Sequence, residues 1–283
     1  MAYDHGRRLT PALEVRARGD ERNEATLRED FPGEDWWGKI WDFEELVQEP
    51  PPIDWLVRGI IQRGTLVMFY GDPGCYKSML VMDMAVSIAA GATWLPPQGS
   101  GAGSGSPAGY RCRPGGVLWI DLDMGIDAIQ ERLYAMAQTR GPLRAPFRVA
   151  ANPTHGLDLT TRKAEKQLID LVLDSGYSLV VIDTFRRCAG DADENSSEVD
   201  RVVASLRRVV DATGATVVVI HHANKGNTSA LGKIRGSTAI PAGLDLGMYV
   251  TRDESDNTVH VIPTKVRRKR PNDITAMFLY QED

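Results

Sequence analysis

The stretch Thr65-Leu66-Val67-Met68-Phe69-Tyr70-Gly71-Asp72-Pro73-Gly74-Cys75-Tyr76-Lys77-Ser78 decides how the rest of the chain is read. An apolar run with strand character meets a turn punctuated by Gly and Pro. The chain then continues through Lys77-Ser78 into an apolar, Ala- and Met-rich segment that reads as a helix over Lys77–Ala90. Strand, tight loop and helix in that order set backbone N–H groups at the positive end of a helix dipole, where they can wrap phosphates. In that geometry Lys77 neutralises the β- and γ-phosphates of ATP and the Ser78 hydroxyl ligates Mg²⁺. Gly71, Asp72, Pro73, Gly74, Cys75, Tyr76, Lys77, Ser78 and Met79 are therefore the expected nucleotide contacts. Tyr76 stands where such loops usually carry glycine. The backbone does the holding, so a side chain pointing outward is tolerated, and the expected consequence is for affinity rather than for binding itself.

Working outward, apolar β-branched runs recur at 65–70, 116–121, 179–183 and 216–220. Helical patterns lie between them at 77–90, 126–138, 161–175 and 196–213. Strands apolar throughout and separated by helices imply an α/β fold, with a mostly parallel twisted sheet covered on both faces. Ser197-Glu198-Val199-Asp200 has capping-box spacing at the start of the last helix. Segments near 244–250, 258–264 and 274–280 read as added C-terminal antiparallel strands. Two domains are expected: a charged tail with a short aromatic helix and Pro50-Pro51-Pro52 linker over 1–52, and the α/β domain over 53–283. The aromatic cluster Trp36-Trp37-Gly38-Lys39-Ile40-Trp41-Asp42-Phe43 either packs on its own core or docks on a neighbouring subunit. The Gly/Ser-rich run 99–109 reads as a surface segment without chemistry.

Polar residues fall at the strand ends, where open α/β sheets bind ligands. Asp183 closes the run Leu179-Val180-Val181-Ile182 and is placed to hold the Mg²⁺ water shell beside Ser78. Val117-Leu118-Trp119-Ile120 ends in Asp121-Leu122-Asp123. ATP hydrolysis needs a group that aligns or deprotonates water, and Asp123 is the first choice, with Asp121 the alternative. The competing reading for either is a helix-capping or solvated carboxylate. His221-His222 ends the run Val217–Ile220, and His222 is placed to sense the γ-phosphate. Zinc is disfavoured there because no further His or Cys has ligand spacing.

Composition narrows the class. Apolar content of 42% and charged content of 25% are those of a globular protein. No apolar run is long enough to span a bilayer, so a cytoplasmic protein without membrane contact is expected. Three scattered cysteines fit a reducing compartment. The net charge of −5 does not exclude nucleic acid: residues 1–50 carry 13 acids against 7 bases, and the remainder is almost balanced.

Together GDPGCYKS (71–78), VLWIDLD (117–123), VVIDTFRR (180–187), VVVIHHANK (217–225), IRGSTAI (234–240) and TKVRR (264–268) resemble the RepA-like and DnaB-type replicative helicases. These are a branch of the RecA-like ATPases, and the likeness runs from about Trp55 to the end of the sequence. The resemblance implies a RecA-like core, ATP at subunit interfaces of a hexameric ring, and single-stranded DNA gripped by central loops. It places Asp123 where the family usually has a catalytic glutamate one methylene longer. It also puts Lys265 and Arg267 where a lysine and an arginine finger reach into the next subunit's ATP.

Lys225, Lys233 and Arg235 lie in a Gly/Ser/Asn-rich loop after the histidines and, with Arg186, are the expected DNA contacts; backbone-tracking cations bind single strands without sequence preference. Arg187 could touch DNA or brace an interface. The leading expectation is a ring ATPase that translocates on single-stranded DNA. A filament-forming recombination ATPase and a regulatory ATPase switch are the rivals.

Overall fold

The computed structural model describes residues 40–95, 109–190, 197–223, 234 and 239–277. The chain divides between Pro52 and Ile53 into two units. In the first, a short helix over Phe43–Leu46 is closed by a capping box, with the Asp42 backbone N–H donating to the Glu45 carboxylate. Trp41 and Phe43 are exposed; Trp36 and Trp37 lie outside the described residues.

The second unit is organised by one sheet of eight strands: β1 (Leu66–Gly71), β2 (Gly116–Asp121), β3 (Phe147–Ala151), β4 (Tyr177–Asp183), β5 (Thr216–His222), β6 (Leu246–Arg252), β7 (Thr258–Val266) and β8 (Ile274–Met277). Their spatial order is β8-β7-β6-β1-β5-β4-β2-β3. The pairs from β6 through β3 are all parallel, whereas β6–β7 and β7–β8 are antiparallel. Strand β1 therefore sits inside the sheet, and the chain must cross over β5 and β4 to place β2.

The connecting helices are α1 (Lys77–Ala90), α2 (Ile126–Arg140), α3 (Arg162–Ser175) and α4 (Ser197–Thr213). Strand residues alternate between two cores, as a two-residue side-chain period requires. Val67, Phe69, Trp119, Val181 and Val218 pack with α1 and with Ile129 and Met136 of α2. Leu66, Met68, Ile120, Ile182 and Val219 pack with Leu168 and Val172 of α3 and the apolar face of α4. Every β1 residue is buried, and α1 is buried along nearly its whole length. The phosphate-loop segment is thus fixed at both ends. At the opposite edge of the sheet Asp245 secures the foot of β1. Its carboxylate accepts the Leu66 N–H at 2.9 Å and Arg207 of α4 at 2.7 Å, and its own N–H donates to the Leu66 carbonyl.

The α/β sandwich with its parallel centre and antiparallel C-terminal strands is the expected architecture, with one correction: β6, expected near 244–250 as an added antiparallel strand, runs parallel to β1 and belongs to the parallel centre. Helix α1 and strand β2 have the predicted bounds, and the other elements shift by a few residues at their ends. Helix α4 runs over Ser197–Thr213; the capping side chain expected at its start lies outside the described residues. The edge strand β3 was not expected; its half-exposed Phe-Arg-Val-Ala-Ala lacks a strong apolar run.

Candidate active site

Strands β2, β4, β5 and β1 all point their carboxyl ends the same way. Register brings their terminal residues level: Asp121 lies opposite Asp183, Asp183 opposite Ile220, and Gly71 opposite His222. Between Gly71 and α1 the chain turns through Asp72-Pro73-Gly74-Cys75-Tyr76. Gly71 must be glycine for lack of room: a Cβ there would stand 2.1 Å from the Val250 carbonyl oxygen and 2.9 Å from Cys75 Sγ. Gly74 takes φ +77°, a region that suits a residue without a Cβ.

The Lys77 side chain is buried and folds over its own loop, its Nζ donating to the Asp72 carbonyl at 2.7 Å. Ser78, in the first turn of α1, sets its hydroxyl beside the Asp183 carboxylate at the end of β4. Asp183 is itself buried, and its Oδ2 has no hydrogen-bond partner. Burial pushes its carboxyl up to about 6; the Ser78 hydroxyl pulls it down, Asp121 and Asp123 push it up, and Lys77 pulls it down. A desolvated carboxylate with an unsatisfied oxygen, next to a serine hydroxyl and to two more carboxylates, has more negative charge about it than Lys77 alone balances. An oxygen-seeking divalent cation would supply the balance, and the donor set fits Mg²⁺, which takes one or two carboxylates and completes its shell with water and phosphate oxygens.

The two carboxylates after β2 part company. Asp121 is fully buried and accepts the backbone N–H groups of Met124 at 3.1 Å and Gly125 at 2.7 Å. It pins the turn that starts α2. Asp123 is about half exposed and pairs with Arg187 at 3.3 Å, on the short helical turn Phe185–Ala189 after Asp183. Of the two, only Asp123 has a carboxylate not already committed to backbone N–H groups. His222 is half-buried at the carboxyl end of β5, and the Ala223 N–H donates to the Gly71 carbonyl. The phosphate loop, Asp123, Asp183 and His222 therefore share one edge of the sheet.

A family model described as the AAA domain matches residues 34–228, well over half of the chain. The chain belongs to the AAA domain family. Two solved structures share the fold of this AAA domain protein at low identity. A DnaB-like replicative helicase aligns with a TM-score of 0.56 and 14% identity, over 84% of this chain and 64% of that one. A KaiC-like protein from the archaeon Pyrococcus horikoshii OT3 aligns at 0.49 and 13%, over 80% and 89%. The AAA domain chain thus spans less than two thirds of the helicase chain it resembles in fold. Its architecture is RecA-like, and the family and fold together make it a RecA-like P-loop ATPase.

Lys265 and Arg267 lie elsewhere. Arg267 follows β7 and sits at the foot of the sheet, its N–H donating to the Asp245 carbonyl at 2.9 Å, and its guanidinium bonding the Ala242 carbonyl and lying 3.9 Å from the Asp245 carboxylate. Lys265 pairs in register with Gly247. Since β1 rises ~3.3 Å per residue from Leu66 to Gly71, the foot of the sheet is ~17 Å from the phosphate loop. That is beyond an arginine's reach, so Arg267 does not reach this chain's own phosphate loop; Lys265, level with Met68 through Gly247, lies two strands to the side of β1. Arg186 is half-buried and donates to the Gly190 carbonyl at 3.3 Å. Lys225, Lys233 and Arg235 are outside the described residues. Met79 is half-buried against the α1-side core.

Sequence reading missed Arg252, at the end of β6. Its guanidinium lies over the Tyr76 ring, 4.2 Å from the centroid, and its Nη1 donates to the Gly74 carbonyl at 3.4 Å. Only the sheet order, which sets β6 beside β1, makes them neighbours. Among the described residues no helix is long and apolar enough to cross a membrane.

Proposed function

We propose that this protein hydrolyses Mg²⁺-ATP as one subunit of a homo-oligomeric motor, a hexameric ring, that moves on single-stranded DNA and unwinds duplex. The observation that carries the nucleotide reading is the Ser78–Asp183 pair, with the unsatisfied Asp183 Oδ2 beside Lys77 at the mouth of the phosphate loop. Bound Mg²⁺ would neutralise phosphate charge. Ser78 and Asp183 are the residues that hold it. The loop N–H groups bind the phosphates, and Lys77 leaves the Asp72 carbonyl to reach the γ-phosphate. Asp123, steadied by Arg187, aligns the attacking water, and His222, level with Gly71, registers whether the γ-phosphate is present.

Two observations support the oligomeric half of the reading. The fold is shared with a DnaB-like replicative helicase. Arg267 stands too far from its own loop to act there, which suits a cation serving the nucleotide of the next subunit; Lys265 is proposed to act with it. Lys225, Lys233, Arg235 and Arg186 are the proposed DNA contacts.

The test measures ATP turnover with and without single-stranded DNA, and unwinding of a forked duplex, with Lys77→Ala as control. Stimulated turnover and unwinding, both lost in K77A, are expected. Stimulated turnover without unwinding, on open filaments in negative-stain images, would favour a recombination ATPase. Turnover indifferent to DNA would leave a regulatory switch and remove the motor.

A further inference from the structure

Glycine is usual at position 76 because the chain there takes a left-handed turn. Tyr76 adopts φ +63°, ψ +22° as the residue preceding α1, a conformation in which a Cβ crowds the backbone. No side chain caps the helix at this point. Something must hold the tyrosine in a shape it does not favour, and Arg252 is built to do so. The planar guanidinium lies over the aromatic face, the geometry of a cation–π contact, while Nη1 takes the carbonyl of Gly74 two residues upstream. The far side of the fork, Nη2, donates to the Asn257 side chain in the turn between β6 and β7. Asn257 itself has φ +60°. One arginine therefore joins the ring, the loop backbone and the β6–β7 turn.

We infer that Arg252 is a positioning residue for the phosphate loop: it fixes Tyr76 in the left-handed turn that aims the loop N–H groups at the nucleotide, supplying by contact what glycine supplies by freedom. The inference rests on the nucleotide reading above. Arg252 acts through Tyr76 and Gly74, not on the reacting atoms. Its loss leaves the loop free to sample shapes in which the N–H groups diverge. Such a change lowers the population of the binding-competent form, and so the apparent affinity, more than it alters the chemical step. A lysine keeps the charge but not the planar stack or the fork, so it restores only part of the function.

The experiment titrates a fluescent ATP analogue with Mg²⁺ and measures steady-state turnover for the full chain and its Arg252→Ala, Arg252→Lys, Tyr76→Gly and Arg252→Ala/Tyr76→Gly variants. R252A is expected to weaken binding and raise KM about 5–30-fold, with a smaller change in kcat. R252K should fall between. The decisive comparison is coupling: in the Y76G background the same R252A change should cost less than about twofold, because no tyrosine needs holding. Asn257→Ala, which frees Arg252 without touching the loop, should move affinity in the same direction by about 2–5-fold; it decides the matter if R252A fails to fold. R252A binding as the unaltered protein does would overturn the inference. So would an undiminished R252A loss in the Y76G background, since Arg252 would then be touching nucleotide directly. An unaltered protein that binds no nucleotide removes the broader reading, and this inference with it. Equal binding by R252A and the unaltered protein removes this inference alone.

Discussion

Asp121 and Asp123 differ by two positions and one amino acid between them, yet Asp→Asn at each should produce opposite signatures. At Asp121 the carboxylate is fully buried and accepts two backbone N–H groups. Asparagine offers only one oxygen, so one N–H loses its acceptor and meets an amide NH₂ instead. A buried donor left unsatisfied costs roughly 1–3 kcal/mol, and the loss of a charge-assisted bond lies at the upper end. In a domain of this size ~2–3 kcal/mol lowers Tm by about 4–12 °C. Turnover measured well below Tm should persist. At Asp123 the change breaks an exposed pair with Arg187, whose side chains are 47% and 61% accessible. Exposed pairs contribute ~0–1 kcal/mol, so Tm should move by no more than about 4 °C. Turnover, however, should fall ~10²–10⁴-fold, the usual worth of a positioned base. Calorimetry and an ATPase assay on both variants settle it. D123N with normal turnover, or D121N with normal Tm and no turnover, would refute the division of labour.

Gly71→Ala forces a methyl against the Val250 carbonyl; because the obstacle is backbone, we expect a loss of about 3 kcal/mol or more and weaker nucleotide binding, read by thermal melts and titration. Glu165 is held down to about 2, first by the Arg208 hydrogen bond and then by Ser205 and Arg162 against its burial. A depressed carboxylate stabilises the fold above its ordinary value of 4.5 and loses that contribution as pH falls from there toward 2. E165Q should therefore be less stable at pH 7, by on the order of 2 kcal/mol after allowing for solvent around the arginines, with the gap closing below pH ~4.5 in denaturant titrations. Arg267→Ala should keep nucleotide binding and lose turnover; normal hydrolysis by this variant would end its assignment as a trans-acting cation.

Much of the sheet was legible because its central strands are apolar from end to end and its helices intervene at regular spacing. Leu179–Asp183 and Val217–His222 announce both their burial and the polar residue that closes each run. Strand β3 was not legible: an edge strand need satisfy only one neighbour and one core, so Phe147–Ala151 carries little pattern. The site divided in the same way. Lys77, Ser78 and Asp183, the proposed nucleotide residues, could be singled out from local order, since loop and strand end are each continuous in sequence. Whether Asp121 or Asp123 was free to act depended on which one the α2 turn consumed. The contact of Tyr76 with Arg252, 176 positions later in the chain, could not be read from the sequence, because the two meet only where two distant strands lie side by side.

The Asp245 tie at the foot of β1 has a mechanical consequence. Leu66, Arg207 and Arg267 converge on that residue, through its backbone on one side and its carboxylate on the other. Strand β1 is buried throughout and hydrogen-bonded on both flanks, so it behaves as a stiff rod with Asp245 at its heel and Gly71 at its tip. A load applied at Arg267 meets Asp245 and, through it, β1, with no loop between the heel of that rod and its tip.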